Sequence, residues 1–255
     1  MKKFFSFMIC FCFVLASAFT FVACGNEKVS VDDASDAVEE VQEETTAFST
    51  ILAQEANSSS RTPQEKGIMS ALNGGLDTLT SVAGEIVILD MFNDGKYNAE
   101  DFDGSVITKK GNTYTITYGE HVSKVVAKSE KDSLTLTIDE TSSIKYSLSK
   151  NYLRIDVNYV EEDYTLKAYA ELKEVGNTHY YQLVQIEEET YNVINFKYNF
   201  TETENGDEDV VNINSFSITA KNEETTEPTS IKDLKDYDAY ATGEGAVTYT
   251  APLAQ

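Results

Sequence analysis

Between Gly104 and Lys221 the chain alternates apolar and polar residues with a period of two, in short runs broken by turn residues. Successive side chains of a strand point to opposite faces of a sheet, so this pattern describes strands with one buried and one wet face. Turn signals stand at Gly111-Asn112, Gly119-Glu120, Glu130 to Asp132, Lys150-Asn151, Glu161 to Asp163, Gly176-Asn177, Glu187 to Glu189 and Asn205-Gly206. No helical pattern intervenes, which excludes βαβ units and leaves an antiparallel meander or barrel. The apolar face is built from Tyr114, Ile116 and Tyr118, Leu134, Leu136 and Ile138, Ile144, Tyr146 and Leu148, and Leu153, Ile155, Val157 and Tyr159. Leu166, Ala168, Ala170 and Leu172, then Ile194, Phe196, Tyr198 and Phe200, extend it. The wet face carries Lys145, Arg154, Asp156, Asn158, Lys167, Glu171, Asn195 and Lys197. About nine or ten such strands make one sheet large enough to curl.

Upstream, helices are expected to cover the apolar face. Ser30 followed by Asp33 predicts an N-cap, with Asp32 and Asp33 at the positive end of the helix dipole. Ala34, Val38, Val41, Thr45, Phe48 and Leu52 then recur in steps of four and three, forming one narrow apolar seam. Its outer faces hold Asp36, Glu39, Glu40, Glu43 and Glu44. A coiled-coil partner or the protein's own domain could fill the seam. The seam is short for a coiled coil, and a parallel self-pair would set acid against acid, so packing onto the domain is preferred.

Asn57 to Ser60 reads as a linker. Thr62-Pro63-Gln64-Glu65 announces a second helix through a capping box with proline at the first helical position. Ile68, Leu72, Leu76, Leu79, Val82, Ile86 and Leu89 keep helical spacing. Gly74-Gly75 predicts a break or kink there, each glycine costing about 1 kcal/mol against alanine. Near the C-terminus, Glu223 to Pro228 reads as an acidic linker, Ile231 to Tyr240 as a short helix and Ala246 to Thr250 as a last strand.

The first residues carry an address. Lys2 and Lys3 precede Phe4 to Val22, a stretch of nineteen residues without a charge, then Ala23, Cys24 and Gly25. A basic start, an apolar stretch and a small-residue exit make an export signal. An uncleaved membrane helix is the other reading, since about 20 apolar residues can span a bilayer. Both place residues 25 onward outside the cytoplasm. Ser17, Ala18, Thr20 and Ala23 favour cleavage.

The stretch Phe21-Val22-Ala23-Cys24 resembles the lipobox of bacterial lipoproteins. The resemblance implies diacylation of the Cys24 sulfur with palmitate-type chains, cleavage before Cys24 and a further acyl chain on the new amino terminus. The expected localisation is therefore the cell envelope, lipid-anchored. Gly25 is not the aspartate that retains some lipoproteins in the inner membrane, which implies the outer membrane where there are two. Two or three acyl chains give stable anchoring, each buried methylene contributing about 0.8 kcal/mol. Cys10 and Cys12 leave with the leader, so Cys24 is the single cysteine of the mature chain, and neither an internal disulfide nor a cysteine zinc site can form.

The expected fold is α+β, a large curved antiparallel β-meander, half-barrel or barrel-like, packed against N-terminal helices. Residues 1–23 form the signal peptide, 24–29 the tether, 30–92 two or three helices, 104–221 the sheet and 222–255 the acidic linker and tail. A transmembrane barrel would show the same alternation, but the helices need an apolar surface to cover. The outline is similar to the half-barrel of LolA-like and LprG-like lipid carriers; the similarity is architectural, with no motif shared residue by residue.

The chain has 43 acidic against 20 basic side chains and a formal charge of −23, which disfavours nucleic acid and anionic membrane surfaces as partners. Catalytic constellations are missing from the sequence. Only His121 and His179 could serve as an imidazole base, and both stand at strand starts, where a partly exposed structural histidine is expected. No phosphate loop, dinucleotide fingerprint or zinc-type histidine pair is present. Glu161, Glu162, Asp163, Glu187, Glu188, Glu189, Asp207, Glu208 and Asp209 could supply paired carboxylates only within a cleft, and their turn positions favour solvated charge. Asp90 to Asp101 contains Asn93-Asp94-Gly95, but Phe92 stands where a calcium loop needs an oxygen ligand. No catalytic residue, metal ligand or cofactor is therefore expected. Tyr152, Tyr169 and Tyr180 are expected on the wet face, where exposed rings could stack on sugars or a protein partner, or simply reflect β-propensity.

The expected function is that of a non-catalytic, membrane-anchored interaction or structural lipoprotein with a solid core. The alternative is a carrier for an apolar ligand such as an acyl chain, lined by Ile116, Leu136, Ile138, Tyr146, Ile155 and Val157. A glycan-active hydrolase is the third reading. Leu72, Leu79 and Ile86 decide between the first two: if they fill the concavity, no ligand volume is left.

Overall fold

The computed structural model describes residues 28–251 except 162–163 and 206–207. The signal peptide, Cys24, Glu162, Asp163 and Asp207 lie outside the described residues. Three helices come first: α1 (Val31–Asn57), α2 (Pro63–Ala83) and α3 (Glu85–Asn93). The strands follow as β1 (Val106–Lys110), β2 (Thr113–Tyr118), β3 (His121–Ser129), β4 (Ser133–Ile138), β5 (Ser142–Ser149), β6 (Tyr152–Glu161), β7 (Tyr164–Val175), β8 (Thr178–Glu187), β9 (Thr190–Asn205), β10 (Glu208–Glu224) and β11 (Val247–Thr250). They form a single 11-stranded sheet in strict sequence order, curved and not closed. The fold is the α+β meander expected from the alternation. From β1 to β10, connections of a few residues permit only antiparallel neighbours, and this fixes their order.

Gly111, Gly119 and Gly176 take φ of +64°, +57° and +60° in their turns, a region open to glycine at little cost. The β4–β5 turn carries none of the usual turn residues beyond Asp139, yet Asp139 and Glu140 adopt φ of +49° and +65°. Its anchor comes from the preceding strand, β3. The Asp139 carboxylate accepts the Lys124 N–H at 2.7 Å and the Ser123 hydroxyl at 2.8 Å.

Register places one apolar row across seven strands: Leu148, Leu153, Leu172, Tyr181, Phe196, Ile218 and Val247. The helices lie on this face. Ser30 and Asp33 form the expected capping box, with N–H contacts of 2.8 and 3.0 Å, and Thr62 and Glu65 do the same at 2.8 and 3.3 Å. The α1 seam is buried throughout and packs onto its own domain. Phe48 stacks on Phe196 at 5.3 Å and on Tyr198 at 5.0 Å, and meets Phe216 edge-on at 5.4 Å.

Three expectations are corrected. First, α2 runs unbroken through Gly74-Gly75, and the interruption falls at Gly84 instead. A Cβ at Gly75 would sit 3.3 Å from the Leu183 Cδ1, so this glycine serves close approach of helix to sheet. Packing of Leu72 and Leu76 outweighs the propensity cost.

Second, the opposite face is not wet in its middle. Glu171 is fully buried, Arg154 is half-buried, and Tyr152, Tyr169 and Tyr180, expected to be exposed there, are all buried. Third, the short helix expected over Ile231 to Tyr240 does not form; after the exposed linker stretch 223–227 the segment becomes a strap. It crosses the outer face through a single 3-10 turn at Ile231–Asp233 and returns as β11. Ile231, Tyr240 and Ala241 pack there against Tyr152 and Tyr180.

Candidate functional site

The concave face was the first candidate. Leu136 and Tyr146 are fully buried, Ile155 and Val157 nearly so, and Ile116 and Ile138 are half-buried against the same core. Phe48, Leu52, Met69, Leu72, Leu76, Ile86 and Leu89, all buried, belong to that cluster. The two deciding residues whose side chains are described, Leu72 and Ile86, are both in it; the Leu79 side chain lies outside the described residues. The face offered for an acyl chain is thus covered by the protein's own helices.

A surface cleft of about 350 Å³ does exist, but it lies between α1 and α2. Thr45, Thr46, Ser49, Thr50, Ala53, Asn73, Leu76 and Asp77 line it, none of them from the sheet. Thr45, Thr46 and Thr50 donate their hydroxyl protons to α1 carbonyls one turn back, at 2.6, 2.7 and 3.1 Å. Its lining mixes hydroxyl, amide and carboxylate groups with Ala53 and Leu76.

The outer face carries the most connected polar group. Register brings Arg154, Glu171, Gln182 and Asn195 into one row across β6 to β9. Glu171 Oε1 accepts from the Tyr152 hydroxyl at 2.8 Å, the Arg154 guanidinium at 3.0 Å and the Ser230 hydroxyl at 2.8 Å. Its Oε2 accepts the Ile231 N–H at 2.8 Å. Arg154 also reaches Asp156 at 2.8 Å and lies 3.9 Å from the centre of the Tyr169 ring. Lys197 Nζ holds the Asp238 carbonyl at 2.7 Å and the Tyr240 hydroxyl donates to the Tyr181 carbonyl at 2.6 Å. Desolvation drives the Tyr152 and Tyr240 hydroxyls well above their ordinary range. All four donors to Glu171 belong to the protein itself, while the buried Tyr169 hydroxyl and Gln182 Oε1 nearby have no hydrogen-bond partner. The arrangement fastens the strap to the sheet.

Carboxylates converge at one further place. Oxygens of Asp32, Asp90 and Asp94 all lie within 4.8 Å of one another, where the start of α1 meets the end of α3. Desolvation first, and then the charges of Asp32 and Asp94, push Asp90 up to about 6. Such oxygens suit a hard cation. Lys96 already supplies positive charge, 2.9 Å from Asp94. The spacing of Asp90 and Asp94 was legible as one helical turn, but their meeting with Asp32 depends on how α1 and α3 pack. Glu85, first residue of α3, was also missed; desolvation and the charge of Asp139 push it up to about 7. No local pattern marks it.

Of the two histidines, His121 is exposed at the start of β3. His179 is fully buried rather than partly exposed, its ring 4.9 Å from Phe200 and 5.5 Å from Tyr198. The two are on different strands, β3 and β8. Glu187, Glu188 and Glu189 are exposed at the β8–β9 turn. The side chains of Glu161, Glu208 and Asp209 lie outside the described residues. No family model matches the chain, and neither a curated protein nor a solved structure shows significant similarity to it.

Proposed function

We propose that the protein is a membrane-anchored, non-catalytic lipoprotein of the cell envelope that acts as an interaction or structural module. The observation that carries this reading is the filled concave face: Phe48 stacks directly on Phe196 and Tyr198, where a carrier would keep its ligand volume. Burial of Leu136, Tyr146, Ile155 and Val157 beneath the same helices supports the solid core over the acyl carrier. On the outer face, the strap covers the tyrosines that would otherwise offer a stacking platform for sugars. Among the described residues, no helix is long and apolar enough to cross a membrane. The lipobox-like stretch Phe21-Val22-Ala23-Cys24 motivates the acyl anchor at Cys24.

Two measurements test the reading. Intact mass of the protein purified from membranes is expected to show acyl chains on Cys24 and loss of residues 1–23. Organic extracts of a soluble form lacking Cys24 are expected to contain no stoichiometric lipid. One bound acyl lipid per protein would return the carrier to first place.

A further inference from the structure

We propose that the junction of α1 and α3 is a calcium site, held by Asp32, Asp90 and Asp94 with the Ser35 hydroxyl as a fourth oxygen. Oxygens of the three carboxylates all lie within 4.8 Å of one another. Calcium binds oxygens at about 2.4 Å, so its shell spans oxygens up to about 4.8 Å apart, and the three side chains reach one ion without any shift of their helices. Magnesium, at about 2.1 Å, spans no more than about 4.2 Å and demands stricter octahedral geometry.

Two helix faces build the cluster. On α1, Asp32, Asp36 and Glu39 recur in steps of four and three, and on α3 Asp90 and Asp94 stand one turn apart. The charges of Asp32, Asp94, Asp36 and Glu39 all act on Asp90, so the two acidic faces meet. Such like charges repel. The negative end of the α3 dipole falls at the same place, with no basic residue in the last turn. Against these five carboxylates stands Lys96, 2.9 Å from Asp94 and with a side chain 71% exposed. Lys109 is engaged by Asn93 Oδ1 at 2.8 Å. The junction therefore keeps an excess of negative charge, which a small divalent cation neutralises.

An independent sign of a ligand comes from Ser35. Asp32, Ser35 and Glu39 lie at i, i+3 and i+7, one stripe of α1, and this stripe faces α3 because the charges on either side of Ser35 act on Asp90. Ser35 is fully buried there, and its Oγ has no hydrogen-bond partner. Thr45, Thr46 and Thr50 of the same helix donate to the carbonyl four residues back, the ordinary resort of a helical hydroxyl. Ser35 does not. A buried hydroxyl left unpaired is destabilising, and an oxygen beside three carboxylates is the kind of ligand that calcium takes. Asp32 and Asp94 are exposed and Asp90 is half-buried, which leaves the ion an open entry and lets water complete its shell.

The test uses the full chain, freed of ions by a chelator, in about 0.15 M sodium chloride so that diffuse attraction to the acidic surface is screened. Calorimetric titration with calcium chloride is expected to show a single saturable site with Kd on the order of 10⁻⁴–10⁻³ M, and magnesium is expected to bind at least about fivefold more weakly. About 10 mM calcium is expected to raise Tm by about 4 °C above sodium chloride of equal ionic strength. Asp90→Asn and Asp94→Asn are expected to remove both the saturable binding and the calcium-dependent rise. Asp90→Asn is also expected to unfold no earlier than the parent in chelator, since it relieves repulsion, which separates loss of the site from loss of the fold. Ser35→Ala is expected to weaken binding at least about threefold, whereas Asp132→Asn, in the β3–β4 turn, leaves binding unchanged. Absence of saturable binding, its survival in Asp90→Asn and Asp94→Asn, or a rise in Tm that sodium chloride reproduces would overturn the site. Magnesium binding as tight as calcium would overturn the choice of ion, and unchanged affinity in Ser35→Ala would overturn the fourth ligand.

Discussion

The Glu171 carboxylate accepts the backbone N–H of Ile231 at 2.8 Å across a separation of 60 residues, and this contact joins the strap to the centre of the sheet. Glu171→Ala removes an acceptor that satisfies four donors and leaves Arg154 half-buried with one partner fewer. The expected loss is about 3 kcal/mol of stability, since breaking a buried charged network costs about 3–5 kcal/mol and Arg154 keeps Asp156. Urea unfolding measures the loss. Hydrogen exchange at Ile231 is expected to accelerate more than exchange in the strands beneath, which separates strap release from global unfolding.

Phe48→Ala should cost about 3–5 kcal/mol, the range for deleting a buried ring whose cavity cannot collapse. Its stacking partners sit on β9, held on both sides by β8 and β10, so little relaxation is available. Thermal unfolding reports the change. A loss under 1 kcal/mol would mean that the helices do not fill the concave face.

The two adjacent glycines of α2 should respond differently. At Gly74 a Cβ meets nothing within 4 Å, so Gly74→Ala is expected to stabilise by about 0.5–1 kcal/mol through helix propensity alone. At Gly75 the Cβ meets Leu183 Cδ1 at 3.3 Å, a flexible side-chain end, so Gly75→Ala gains less. Gly75→Leu is expected to lose about 1–3 kcal/mol by overpacking. Parallel denaturation curves of the three variants check the order.

Glu85 sets a pH dependence. Its folded carboxyl titrates at about 7, above an ordinary value of 4.5, because burial and Asp139 disfavour its charge. Between those two values the unfolded chain has released a proton that the folded chain keeps. Stability contributed by the neutral acid is therefore complete below 4.5 and lost as pH rises to 7. Glu85→Gln is expected to match the parent at pH 4 and exceed it by about 1–2 kcal/mol at pH 8, allowing for the partial exposure of the side chain. Asp90, raised to about 6, adds a smaller loss over its own lower range, so the comparison is made against the parent at each pH.

Much of the scaffold was legible because its determinants are local. Ser30 with Asp33, and Thr62 with Glu65, identify helix starts within four residues. Alternation from Tyr114 to Phe200 identifies strands, and hairpin connections leave their order no freedom. Gly75 was misread for a physical reason: local propensity registers the missing side chain as a weakness, whereas Leu183, more than a hundred residues away, makes it a point of close approach. Asp32 and Asp90 likewise carry no joint signal, since they meet only through the packing of α1 on α3.

The sequence by itself determined that one face of a long antiparallel meander is apolar and that capped helices precede it. These follow from a side-chain period of two and from capping chemistry, which act over a few residues. Only the tertiary structure decided that the second face is also covered in its centre. Alternation places Tyr152, Glu171 and Tyr180 away from the core, but it holds no information about Ser230, Ile231 and Tyr240, which fold back to bury them. Burial on that face is a property of two distant segments together, and neither segment's own pattern encodes it.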